Sequence, residues 1–249
     1  MRPLLRNLKP TNGVAYTLHL LLVLVLPAAV FVLVRLNLAL LAAAIVVLSK
    51  WRMFAVRPRF WAANLRANAV DLMVGLSAVL FITHYDSVWI QLLWVVLYAA
   101  WLTVIKPGTG MLIVTTQAFI GQLAALSALY LTWADGPVYA LTALSGLFCF
   151  LAARHFLDAF DEPYAKLLAY TWGYFGAALS WLLSHWLLFY QGISLPTLLL
   201  STLGYGIAVL YYLDHTGRLT KSLQRQFVFV MVAIVLVVLA FSDWGDKVV

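Results

Sequence analysis

The sequence predicts an all-α protein: a polytopic transmembrane helix bundle of about nine spans, its N-terminus cytoplasmic and its C-terminus outside. Composition, the length of the apolar runs and the sidedness of the basic residues carry that expectation. Of 249 residues, 65% are hydrophobic and only 10% charged, with a mean hydropathy of +0.97. Soluble domains carry about a quarter charged residues, and no water-facing surface could cover so much apolar side chain. In lipid every backbone polar group needs an internal partner, so helix bundles and closed barrels are the available solutions. Barrel strands alternate over short segments, whereas these apolar runs are long and continuous. Helices are therefore expected, in a single integral membrane domain covering residues 1–249.

Spanning takes roughly 20 apolar residues, and runs of that kind fall at about 14–34, 36–53, 69–85, 87–105, 111–133, 137–153, 165–190, 193–213 and 226–243. The first follows Arg2, Arg6 and Lys9; it is too long for a signal-peptide core and reads as a retained span, bent at Pro27. The second is apolar only from Leu36 to Leu48, and needs Lys50 and Arg52 to reach toward headgroups. Threading the nine in turn puts fourteen of the sixteen Lys and Arg residues on the starting side and leaves only Arg35 and Lys247 opposite. The acidic residues divide five to four. A Lys/Arg bias with indifferent acids is the positive-inside pattern and sets the orientation. It also accounts for the net charge of +7 without nucleic acid. Trp51 and Trp61 fall at the inner boundary and Trp89, Trp133, Trp186 and Trp244 at the outer one, as interfacial belts do. The lone cysteine, Cys149, excludes an internal disulfide.

Helices associate in lipid through small residues that let backbones approach. The seventh span offers Gly173, Gly176, Ala177, Ser180 and Ser184; the eighth offers Ser201, Gly204 and Ala208; the fifth offers Gly121, Ala125 and Ala128. These three spans are the expected tight interior. The fourth carries Trp94, Tyr98 and Trp101 as a bulky stripe for packing or for lipid.

The chemistry-bearing residues concentrate in two inner loops. The first, Lys50 to Asp71, interleaves basic residues with Trp51, Phe54, Phe60 and Trp61, a pattern suited to the headgroup layer. Arg57, Arg59 and Arg66 are candidates for phosphate charge. A helix starting near Phe60 would stack Asn64, Asn68 and Asp71 on one face, with Gly75 and Ala78 continuing the stripe, to receive a headgroup. The second loop runs from Arg154 to Lys166. On a helix, His155, Asp158 and Glu162 would share a face, and Asp158 with Glu162 is the candidate site for a hard divalent cation such as Mg²⁺, taken up together with substrate phosphate. Both loops also have plain structural explanations: Arg154 and Asp158 are an ordinary i,i+4 ion pair, and Asp71 suits a helix N-terminus. Within the spans the polar side chains to explain are His19, Gln117, Gln122 and His185. The glutamines suit interhelical hydrogen bonding and the histidines lie toward the two interfaces. No charged residue falls at the middle of a span, which argues against ion-coupled transport.

Nine spans, an inner N-terminus and polar motifs in the inner loops after spans two and six resemble the layout of the intramembrane prenyltransferases. That resemblance implies a prenyl diphosphate held through Mg²⁺, with Asn64, Asn68 and Asp71 standing for the first motif and Asp158 and Glu162 for the second. It covers the topology of most of the chain. The family's first motif carries two further carboxylates that are missing here, so the likeness is one of layout.

The leading expectation is a plasma (inner) membrane protein that binds, and transfers or modifies, a lipid or isoprenoid phosphate at the cytoplasmic face, with membrane lipids as its partners. The alternatives are a channel or carrier for an uncharged solute, lined by Gln117 and Gln122, and a non-catalytic scaffold subunit of a membrane complex. Whether the chain is an enzyme stays open at this point, and no protein partner is indicated.

Overall fold

The computed structural model describes residues 13–186, 189–190 and 193–242. Over these residues the chain forms helices α1 (Val14–Arg35), α2 (Ala39–Leu48), α3 (Trp61–Ala67), α4 (Ala69–His84) and α5 (Val88–Ala100), then α6 (Met111–Trp133), α7 (Val138–Asp158), α8 (Ala165–Trp186), α9 (Leu195–His215) and α10 (Lys221–Ala240). A two-residue antiparallel pair, β1 (Phe189–Tyr190) and β2 (Ile193–Ser194), lies between α8 and α9. The all-helical class is as the composition requires.

Each of the nine expected spans falls on a helix, but the helices differ in length and polarity. Among the described residues five are long and apolar enough to cross a membrane: Val88–Ile105, α6, α7, α9 and α10; a sixth would be Pro58–Ala67 and α4 taken together, although that pair is bent by 66°. The expected second span shortens to the 10 residues of α2, about 15 Å at 1.5 Å per residue, roughly half a bilayer core. It is held short at its start by the turn at Asn37 and at its end by the Ser49 hydroxyl, which donates to the Val46 carbonyl at 2.6 Å. The 22-residue α8 is long enough, but its Trp, Tyr, Gly and Ser residues dilute its hydropathy. In α10, by contrast, only 6% of the apolar window is buried; such a helix needs a hydrocarbon solvent. The tails 1–12 and 243–249, with Arg2, Arg6, Lys9, Trp244 and Lys247, and the side chain of His19 lie outside the described residues.

The helices gather into two compact units. The first contains α1, α2, the end of α4 from Ala78, and α5. Asn37, at φ 60°, a left-handed value Asn tolerates, reverses the chain between α1 and α2, and the two helices pack as a hairpin. The Gln91 amide donates to the carbonyls of Ile82 (3.1 Å) and Tyr85 (2.7 Å), so one side chain of α5 satisfies the end of α4. Of the expected bulky stripe, Trp94 stacks on Phe81 with ring centroids 4.2 Å apart, while Tyr98 and Trp101 are buried. The stripe packs against protein.

The second unit contains α3, the start of α4, and α6 to α10. Its closest seam joins α7 and α8. A Cβ at Gly146 would lie 2.9 Å from the Ala177 Cβ and 3.0 Å from the Gly173 carbonyl oxygen; one at Gly176 would lie 2.6 Å from the Cys149 Sγ. Backbone-to-backbone contact of this kind requires glycine on both helices. The sequence expectation therefore needs correcting: the seventh span makes its tight contact with the sixth, through Ser145, Gly146 and Cys149, and less with the fifth and eighth. Across the seam the Tyr130 hydroxyl of α6 meets the hydroxyls of Ser145, at 3.0 Å, and Ser180, and these two serines are 3.2 Å apart. All three residues are buried. The trio gives every one of these buried hydroxyls a partner.

Candidate functional site

In the first loop the helix that would have stacked Asn64, Asn68 and Asp71 is interrupted. Asn68 closes α3 at φ −104°, ψ 4° and its amide donates back to the Asn64 carbonyl at 2.9 Å; the backbone then turns into α4. Local Asn-to-backbone bonding is a known competitor of helix continuation. The Asn64 amide donates in turn to the Met53 carbonyl at 3.3 Å, and Asp71 is buried in the first turn of α4. The expected polar stripe is thus divided, with its two asparagines engaged in shaping the turn. Arg57, Arg59 and Arg66 are exposed, and the Arg59 guanidinium lies 4.6 Å from the Phe60 ring centroid. Beside them, Phe54 and Trp61 meet edge to face at 5.6 Å, and both are partly exposed.

The second loop also departs from a continuous helix. α7 ends at Asp158, and Asp161 takes φ 50°, so Glu162 is not on the face that carries His155 and Asp158. Asp158 pairs with Arg154 at 2.8 Å. Glu162 turns instead toward α9: one carboxylate oxygen accepts from the Tyr211 hydroxyl and the other from the Tyr164 N–H at 3.3 Å. Among the described residues no three His, Cys, Asp or Glu side chains converge as a metal-binding group; a cation here would have two or fewer of these ligands from the chain. The His155 Nε2–H donates to the Gln117 Oε1 at 3.0 Å, while the Gln117 amide donates to the Gly108 carbonyl at 3.1 Å.

Two cavities meet at this place. The larger, about 540 Å³, lies among α6, α7, α8 and α9, with Ala118, Ala152, Phe156 and Leu157 as its floor. The smaller, about 330 Å³, is lined by Arg154, Asp158, Asp161, Glu162, Pro163, Ala165 and Lys166. Tyr211 lines the first and its hydroxyl bonds Glu162 of the second. An apolar chamber is thereby joined to a charged one through a single hydrogen bond. The size of the larger falls in the range usual for small-molecule sites. Its polar atoms are few and occupied: the Gln122 amide donates to the Leu200 carbonyl at 3.0 Å and accepts from the Trp172 indole N–H at 2.9 Å, and the Thr171 hydroxyl donates to the Leu167 carbonyl of its own helix.

Of the residues expected from sequence, then, Asp158, Glu162 and Gln122 come to the cavities. Arg57, Arg59, Asn64, Arg66, Asn68, Asp71 and Gln117 line neither. His185 stands apart, its Nδ1–H donating to the Trp181 carbonyl at 2.7 Å. Sequence reasoning missed Tyr211, Trp172 and Lys166. Tyr211 had a signal: it follows Gly204 and Ala208 at i+7 and i+3 on the same face.

No family model matches this chain, and neither a curated protein nor a solved structure does. Fold and site together define an all-helical protein with several helices apolar enough for a membrane, carrying a paired apolar and charged cavity in its second unit.

Proposed function

We propose that this chain is a nine-span protein of the plasma (inner) membrane that binds a lipid or isoprenoid phosphate at its cytoplasmic face, headgroup in the charged cavity and hydrocarbon in the apolar one. The adjacency of the two cavities across the Tyr211–Glu162 contact carries this reading, because an amphiphile is the ligand class that fills both. Arg154 and Lys166 are the cations for the phosphate. The cavity also holds three carboxylates, Asp158, Asp161 and Glu162, which leaves it formally one charge negative. An anionic headgroup is then best matched together with a divalent cation such as Mg²⁺, which bridges phosphate and carboxylate oxygens. The exposed Arg57, Arg59 and Arg66 add positive charge to the same loop face and draw anionic headgroups toward it.

Thermal unfolding of the full chain in detergent tests this. Hexadecyl phosphate with Mg²⁺ is expected to raise the midpoint more than either does alone, as a ligand that binds only the folded state must. The paired substitution Asp158→Asn and Glu162→Gln is expected to remove the Mg²⁺ increment. An unaltered midpoint in the native chain would overturn the proposal. The topology has its own test: reporter fusions near Pro58 and near Gly217 are expected on the cytoplasmic side, and a split between the two faces would redraw the map.

A further inference from the structure

The walls of the apolar cavity are unequal. Its floor comes from α6 and α7, where Ala118, Ala152, Phe156 and Leu157 are all buried. Its rim comes from α8 and α9, where Leu168 is 41%, Phe175 40% and Ile207 50% exposed, and Thr171 is exposed as well. On α8 the rim residues Leu168, Thr171 and Phe175 are spaced by three and four and so form one edge, with Ile207 on α9 as the exposed residue of the other wall. Side chains exposed on an apolar helix of a membrane protein face lipid tails. The one hydroxyl on the rim is bonded to its own backbone, which leaves only its methyl side to a solvent that offers no partners. The charged cavity lies at the end of these helices, around the turn that links α7 to α8. An amphiphile already lying in a leaflet has the same order of parts, hydrocarbon beside the helices and headgroup at their ends.

We infer that the cavity is entered sideways from the bilayer, between α8 and α9, and that its ligand is a membrane-dissolved phosphate amphiphile whose hydrocarbon slides through this opening while the headgroup stays at the helix ends. This rests on the binding reading above and adds the route and the phase from which the ligand comes. Entry by way of the charged cavity would take the hydrocarbon past charged side chains and the Tyr211–Glu162 contact. Lateral entry leaves that contact in place and never exposes the tail to water.

Binding of radiolabelled hexadecyl phosphate, delivered from phosphatidylcholine vesicles to the full chain in phosphatidylcholine nanodiscs with Mg²⁺, separates the routes. Ile207→Trp narrows the opening and Ile207→Ala widens it, at a position half exposed on α9. The expected result is association at least tenfold slower for Ile207→Trp and faster for Ile207→Ala. Equal association rates in all three proteins would overturn lateral entry while leaving the binding reading standing. Failure of the native chain to bind at all would overturn both, and is a separate observation.

Discussion

Helix α8 presents two faces to its neighbours, and they use small residues in opposite ways. Toward α7 it sets Gly173, Gly176, Ala177 and Ser180 against Gly146, Cys149 and Ser145, and the helices close until a single added Cβ would collide. Toward α9 it sets Leu168, Thr171 and Phe175 opposite Gly204 and Ala208, and the small residues of α9 border empty volume. Reduced side-chain volume permits contact when both helices are small along the line of approach. When one is small and the other aromatic, large rings hold the backbones apart and the gap becomes a chamber. Trp172 acts as one such spacer: its indole reaches Gln122 on α6, and its ring would be 3.1 Å from a Cβ on Gly204.

The largest effect that would break this contrast is expected at the seam. Gly146→Leu places a branched side chain against the Gly173 carbonyl and Ala177, both bound to backbone that has nowhere to move. Overpacking costs about 1–3 kcal/mol even where side chains can shift, so here the folded chain is expected to be lost, read as aggregation in place of a single size-exclusion peak. Gln122→Leu acts at the boundary between the two faces. It removes the bond from the Trp172 indole and the bond to the Leu200 carbonyl. Interhelical bonds in membranes are worth about 0.6 kcal/mol on average and up to about 1.7, so a loss of about 1–2 kcal/mol is expected in SDS-titration unfolding. Tyr130→Phe should cost less, about 0.5–1 kcal/mol, because Ser145 and Ser180 remain 3.2 Å apart and can bond each other. A loss above about 3 kcal/mol would mean the trio does more than satisfy itself.

These elements were unequally legible in the sequence. The helical class followed from composition alone, since lipid leaves few alternatives. The small residues of the seventh and eighth spans were also visible, but a one-dimensional stripe does not say which neighbour it meets; the sixth span's Ser145, Gly146 and Cys149 became meaningful only once paired with α8. The two loop stripes are divided for a local reason. Periodicity assumes that the helix continues, and Asn68 in one loop and Asp161 in the other stop it, so residues at helical spacing went to different partners. Glu162 was found through its type, whereas its partner Tyr211 lies 49 residues further along and had only its place on the small-residue face to mark it. The shortness of α2 was partly visible, since the second run is apolar only from Leu36 to Leu48, but the turn at Asn37 that delays its start was not.

The finest test of the contrast is a substitution that should scarcely alter stability. Ala208 borders the chamber and packs with the cluster around Phe156, Phe160 and Ala169. Ala208→Phe adds a ring on the side where there is space. In lipid, filling an apolar chamber gains contacts but little hydrophobic energy, since hydrocarbon can occupy the space otherwise. The unfolding free energy is therefore expected to stay within about 1 kcal/mol of native. Binding of hexadecyl phosphate should fall at least tenfold, because the ring takes the place of the tail. Retained binding with unchanged stability would place the ligand's hydrocarbon elsewhere and make the chamber a packing defect. A large loss of stability would show that α9 has no slack at this position, so that its small residues, like those of the seam, are there for contact.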